Sequence, residues 1–185
     1  MTDYRMGHSA PEDDGYSAPL SAVQDRFGPD VLDQPDLYGT CDEETLRQMT
    51  AAVDDPGTMV RIYRAVPPEH LEINRGDWVT LSRAYAHDHG YVDDDVAWPV
   101  VFADVPARQV WTDGNDPSEY GYGGPDLTGL DGYAESDVMP PPPASGPARA
   151  PDEETIQFTP SRGAREERRV PPTSPAVTPA LDRSI

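Results

Sequence analysis

A helical pattern of apolar residues runs through residues 42–53. Leu46, Met49 and Val53 recur at helical spacing, and acidic residues fill the first turn behind a candidate N-cap, Asp42. A proline and a glycine follow soon afterwards, which is typical of a turn. The pattern therefore predicts one helix here.

Alternating apolar residues predict a strand over residues 59–66. The alternation puts Arg64 in line with Val60, Ile62 and Val66, where a charge is costly unless an anion meets it. Further elements are predicted from similar patterns: a strand over 77–81, a helix over 83–89, a buried strand over 99–105 and a short strand at 110–111. Together the elements indicate the α+β class.

The flanks of the chain have a different character. Residues 1–40 are polar and broken by prolines, so we expect an arm packed on the core through a few apolar side chains: Tyr16, Leu20, Val23, Phe27 and Tyr38. From residue 136 onward the sequence leaves little to bury, which predicts a disordered tail with local polyproline II at 140–143. The predicted organisation is an arm (1–40), a folded domain (41–135) and a Pro-rich tail (136–185).

The net charge of −20 is concentrated before the tail. Six acidic residues and six arginines follow Met139, so the stretch after that residue is neutral as a whole, and lysine is absent from the chain. An acidic surface repels nucleic-acid phosphates and anionic membranes. An acidic surface is instead typical of a protein that binds a basic partner, of a protein that mimics DNA, or of a protein whose charge serves solubility alone.

Other features of the sequence indicate the cellular compartment. Cys41 is the only cysteine, which excludes an intramolecular disulfide. The first residues lack the apolar run of a secretory signal, and no stretch reaches the roughly 18 apolar residues of a membrane span. We therefore expect a cytoplasmic protein with no membrane partner.

Three polar positions are candidates for chemistry. Arg64 forms either a strand-end ion pair or a contact with a pyrophosphate or ribose. Ser82 is either a plain helix cap or a hydroxyl at a cleft edge, since it stands between a strand and a helix. Glu119 lies close to Tyr120 and Tyr122, where a carboxylate acquires a raised pKa or serves as a structural acceptor.

No metal site is predicted. The four histidines lack ligand spacing, and the acidic run at 93–95 lacks the alternating oxygens of a calcium loop, so we interpret it as a solvated loop. The sequence also has no Gly-rich phosphate loop and no Ser-His-Asp set.

Three segments, taken in order, resemble one family. Residues 62–67 read Ile-Tyr-Arg-Ala-Val-Pro, residues 76–82 read Gly-Asp-Trp-Val-Thr-Leu-Ser, and residues 119–122 read Glu-Tyr-Gly-Tyr. The combination is similar to the ADP-ribosyltransferase domain of phage and mobile-element polyvalent proteins, within the Arg/Ser/Glu class. The first twenty residues also resemble the N-terminal arm of actinobacterial phage members, so the resemblance covers roughly residues 1–122.

The resemblance implies an ADP-ribosyltransferase-like split β-sheet, with NAD as substrate between two small sheets and no metal. Arg64 would bind the NAD phosphates or the nicotinamide ribose, and Glu119 would be the catalytic acid. Thr80 and Ser82 would correspond to the outer residues of the family's Ser-Thr-Ser motif, which shapes the nicotinamide pocket. The ring of Trp78 or Tyr85 would stack on the nicotinamide. The implied activity is mono-ADP-ribosyl transfer to a host protein or nucleic acid, with protein favoured.

Two positions depart from the family pattern. Leu81 replaces the motif's central hydroxyl residue, and Pro117 stands two positions before Glu119, where members that modify arginine have a second acid. Other acceptors, NAD hydrolysis or an inactive relic therefore stay open. The alternatives to an enzyme are a non-catalytic acidic inhibitor, such as a DNA mimic or anti-defence factor, and a virion-associated protein on a degenerate fold.

Overall fold

The computed structural model describes residues 9–93 and 96–143, and its helices and strands are mostly short. The helices are α1 (Gln24–Phe27), α2 (Glu43–Ala52) and α3 (Arg83–Asp88), with 3-10 turns at 20–22, 35–37 and 107–109. The strands are β1 (Ala18–Pro19), β2 (Met59–Ala65), β3 (Trp78–Val79), β4 (Tyr91–Asp93), β5 (Val96–Ala97), β6 (Val100–Pro106), β7 (Val110–Thr112) and β8 (Tyr120–Tyr122). The contacts divide the chain after residue 150, and the unit beyond it lies outside the described residues.

The strands pair in antiparallel fashion. Four of them form one sheet in the order β1-β7-β8-β3, while β2 pairs with β6 along its whole length and β4 pairs with β5. Two backbone hydrogen bonds between Tyr63 and Thr80 (2.8 and 3.0 Å) join β2 to the residue that follows β3. The fold is therefore mixed α/β with few helices and antiparallel sheets, in agreement with the predicted α+β class.

The local elements follow their sequence signals. The predicted helix at 42–53 and strand at 59–66 are confirmed as α2 and β2, and Asp42 caps α2 by accepting a hydrogen bond from the Thr45 amide (2.8 Å). The strand predicted over 77–81 is shorter, because Thr80 leaves β8 and pairs with β2 instead. Within the described ranges, every helix is too short or too polar to cross a membrane.

The first forty residues contribute directly to the main hydrophobic core. The buried members are Leu20, Val23, Phe27 and Val31, whereas Tyr16 is exposed. The backbone of Pro11 crosses β8 so closely that a Cβ on Gly121 would lie 1.8 Å from the Pro11 carbonyl oxygen. Only glycine fits at that crossing.

Both faces of β2 are buried, which the alternating pattern did not predict. Val60 and Ile62 face the core as expected, but Arg61 and Tyr63 on the other face are only 2% and 3% exposed. Residues 136–143, predicted as the beginning of the tail, help to cover that second face, and Arg61 donates hydrogen bonds to two of their carbonyl groups. The remainder of the predicted tail lies outside the described residues, as do residues 94 and 95 of the acidic run.

Candidate active site

A small cavity lies where β2, β3 and α3 meet. Its volume is about 190 Å³, and residues from three separate segments line it: Tyr63, Arg64, Trp78, Thr80, Tyr85 and His89. Four positions singled out from the sequence (Arg64, Trp78, Thr80 and Tyr85) therefore line the same cavity. Pockets for drug-sized ligands measure roughly 300–1,000 Å³, so this cavity by itself suits a single ring system.

Arg64 forms the strand-end ion pair that the sequence left open as an alternative. Its Nη1 lies 2.8 Å from Asp77 Oδ1 and donates to the Trp78 carbonyl at 3.3 Å. Asp77 is itself held in place, because its other oxygen accepts a hydrogen bond from the Asn74 amide (2.7 Å). Within the described part of the chain, the hydrogen bond and the ion pair of Arg64 both use Nη1. The N–H groups of Nε and Nη2 are therefore available to donate to a ligand.

Arg64 also lines a second cavity. It measures about 400 Å³, and its lining includes Arg64, His70, Glu72, Asp77 and Trp98. Arg64 lines both cavities, so the two cavities meet at this residue. An elongated ligand with an anionic centre would meet the arginine at that point.

Glu119 is tied to the first cavity through Tyr85. The Tyr85 hydroxyl donates a hydrogen bond of 2.9 Å to Glu119 Oε1, and the Tyr85 ring stacks on His89 with centroids 4.0 Å apart. Burial, and after it the hydrogen bond to Glu119, raises the pKa of Tyr85, so the phenol keeps its proton and remains a donor. The aromatic partner of this carboxylate therefore comes from α3 and not from its sequence neighbours.

Thr80 and Ser82 have different environments although only Leu81 separates them. Thr80 lines the cavity, and its hydroxyl accepts a hydrogen bond from the Ser82 amide (3.1 Å). The Ser82 hydroxyl caps α3 by accepting from the Tyr85 amide (3.1 Å), and it donates to the Asp42 carboxylate that caps α2. Ser82 is buried and does not line the cavity. Its hydroxyl group connects the N-termini of α2 and α3.

The comparisons give no relative. A scan against protein-family models finds no match, and searches of the curated proteins and of the solved structures find none either. Function therefore rests on geometry and on the sequence resemblance. Among residues 9–93 and 96–143, no group of three or more histidine, cysteine, aspartate or glutamate side chains is arranged to hold a metal ion.

Tyr63 lines the cavity and is hydrogen-bonded to Glu44, and neither residue was among the predicted site residues. The Tyr63 hydroxyl donates to Glu44 Oε1 (2.7 Å), and Glu44 Oε2 accepts from the Arg83 amide (3.1 Å). One carboxylate therefore ties β2 to the beginning of α3. Burial, followed by this hydrogen bond, raises the pKa of Tyr63, which keeps the phenol protonated. The position of Tyr63 beside Arg64 was its only signal, because its partner is 19 residues away in the chain.

Proposed function

We propose that this chain is an NAD-dependent mono-ADP-ribosyltransferase, encoded by a phage and acting on a host macromolecule in the cytoplasm. The observation that carries the proposal is the 2.9 Å hydrogen bond between Glu119 and Tyr85, whose ring lines a cavity that Arg64 and Thr80 also line. The resemblance to the Arg/Ser/Glu class assigns roles to these same residues. The split-sheet ADP-ribosyltransferase fold is part of the proposal.

The reaction breaks the bond between the nicotinamide nitrogen and the ribose C1, and the electron pair leaves with nicotinamide. Positive charge develops on the ribose, and a nearby carboxylate stabilises it. Glu119 supplies that carboxylate, while Tyr85 holds Oε1 and leaves Oε2 without a protein partner among the described residues. The nucleophile of the acceptor then forms a bond to C1 and loses its proton.

The two cavities accommodate different parts of NAD in this proposal. The nicotinamide ring enters the smaller cavity beside Trp78 and Tyr85, with Thr80 in the same wall. Arg64 meets the pyrophosphate through Nε and Nη2, and the remainder of the dinucleotide occupies the larger cavity. Ser82 supports the site indirectly by capping the helix that carries Tyr85. A protein is favoured as acceptor, because a chain with a net charge of −20 repels nucleic acid.

The test is release of free nicotinamide from NAD by the purified full chain, with and without bacterial lysate as a source of acceptors. Glu119→Gln should abolish release, and Tyr85→Phe should reduce it while the protein remains folded by circular dichroism. Glu12→Gln, at an exposed carboxylate, is the matched control and should behave as the wild type. Full activity of Glu119→Gln would refute the assignment. So would a wild-type chain that neither releases nicotinamide with lysate nor binds NAD in calorimetry.

A non-catalytic acidic binding protein is the second candidate. One observation favours it: Arg64 already holds an ion pair with Asp77, and the Ser82 hydroxyl already binds Asp42, so these polar groups have protein partners without a ligand. In this case the chain would bind a basic host protein through its surface charge. That binding should weaken with salt and survive Glu119→Gln, whereas an enzyme would lose its activity in the same variant.

A further inference from the structure

The outer face of the β2–β6 pair is covered by the last described residues of the chain. We call residues 133–143 the strap. It begins with a backbone pairing between Tyr133 and Val100, where each amide donates to the other's carbonyl at 2.9 Å. The Tyr133 ring also lies against Phe102 of β6, with centroids 5.4 Å apart. The strap therefore leaves the sheet from a fixed point.

Arg61 holds the distal part of the strap. Its guanidinium forms a forked ion pair with Asp104 at 2.7 and 2.8 Å, and it lies 4.2 Å from the centre of the Phe102 ring. Nη1 and Nη2 also donate to the carbonyl oxygens of Pro140 and Pro141, the latter at 3.0 Å. This arginine side chain is only 3% exposed, so the two proline carbonyls help to satisfy a charge that has left water.

Arg83 holds the proximal part of the strap. Its Nη2 lies 2.8–3.0 Å from three acceptors, the carbonyl oxygens of Ala134, Glu135 and Asp137. Arg83 is the first residue of α3, the helix that carries Tyr85 into the cavity. Two arginines from different elements therefore hydrogen-bond to backbone carbonyl groups of the strap and not to its side chains.

Met139 is the partly buried apolar side chain of the strap. It packs against a small cluster that contains Tyr63, Ala86 and Val100. Tyr63 and Ala86 also line the cavity of the candidate site. The strap thus packs against a cluster that shares two residues with the lining of that cavity.

We propose that the β2–β6 face around Arg61, Asp104 and Phe102 is a docking site for a proline-rich segment, occupied by Met139–Pro141 of the same chain. Prolines suit such a site for two reasons. They lack a backbone N–H, so a run of prolines does not pair as a regular β-strand. Its carbonyl groups are then available to accept hydrogen bonds from an arginine. Their restricted φ angle also lowers the entropy lost on docking. This inference is independent of NAD and of the proposed reaction.

The experiment is methyl NMR of the full chain with ¹³C-labelled methionine methyl groups, which gives five signals. Met139 reports on docking, and Met49, which is completely buried in the main core, reports on the integrity of the fold. In the wild type the Met139 methyl should be shifted by nearby rings and should show contacts to Tyr63. Replacing both Pro140 and Pro141 with glycine should move it to the random-coil position and leave Met49 unchanged.

The arginine is tested in the same spectra. Arg61→Gln should also release Met139, and Arg61→Lys, which keeps the charge but not the fork, should release it partly. Arg75→Gln, at an exposed arginine outside the strap contacts, is the control and should leave the Met139 signal in place. A random-coil Met139 in the wild type, or a docked Met139 in the glycine variant, would overturn the proposal. Docking that depends on protein concentration would overturn the assignment to the same chain.

Discussion

Replacing Gln48 with methionine should strongly lower the free energy of unfolding, because the Gln48 side chain makes three buried hydrogen bonds. Gln48 lies on α2, is 7% exposed, and uses its whole amide group. Its Nε2 donates to the carbonyl groups of Arg61 (2.9 Å) and Leu81 (2.8 Å), and its Oε1 accepts from the Arg61 amide (2.5 Å). On the same edge of β2, Tyr63 pairs with Thr80. The Gln48 side chain therefore takes the place of the next strand residue.

The size of the effect follows from the groups left behind. Methionine fills a similar volume, so the cavity contribution is small, but two buried carbonyl groups and one buried amide lose their partner. Each unpaired buried group costs about 1–3 kcal/mol, so the three groups together give a loss of about 3–9 kcal/mol in the free energy of unfolding. Domains are typically stable by only about 5–15 kcal/mol. The variant should therefore be close to unfolding at room temperature.

The measurement is urea denaturation followed by circular dichroism. Gln34→Met is the matched control, because Gln34 is exposed and its side chain makes no capping bond, and it should change stability by less than about 0.5 kcal/mol. A loss below about 1 kcal/mol in Gln48→Met would refute the reasoning, because it would mean that water or a shifted backbone replaces all three bonds.

Three other changes test the structure. Gly121→Ala should lower the free energy of unfolding by about 3 kcal/mol because the new methyl group meets the Pro11 carbonyl, and an unchanged melting temperature would contradict that crossing. Ser82→Ala should cost about 1–2 kcal/mol in denaturation experiments through loss of the α3 cap, whereas the exposed control Ser136→Ala should have no effect. Burial by itself would raise the pKa of Asp42, but hydrogen bonds from Ser82 and a backbone amide outweigh it and hold the pKa below 3.8. The contribution of Asp42 is therefore present above about pH 4 and is lost as the pH falls through the folded-state pKa. Wild type and Asp42→Asn should converge in stability on acidification, and a constant difference between about pH 6 and pH 3 would argue against this.

Local elements could be predicted because their causes are local. Asp42 and Ser82 cap their helices through amides three residues further along, and the alternation in 59–66 marks β2. These signals depend on the few residues around each position. Arg64 was recognised as anomalous for the same reason, because a charge within an apolar alternation needs a partner. The sequence left open whether that partner was a protein carboxylate or a ligand.

The candidate site could be predicted only in part. The resemblance pointed to Arg64, Trp78, Thr80 and Tyr85, and the structure brings these side chains to one cavity. It did not foresee that Tyr85 would be the direct partner of Glu119. The two residues are 34 positions apart, and no periodicity links them.

What the sequence by itself determined is six of the elements (α2, β2, β3, α3, β6 and β7), the caps of two helices and the class of the fold, because hydrophobic period and capping act over a few residues. Tertiary structure alone decided the partners of the buried polar groups. Arg61 is buried because Asp104 and two prolines, 43 to 80 positions away, satisfy its charge. A buried donor takes whichever acceptor the fold brings within about 3 Å, and sequence distance does not constrain that choice.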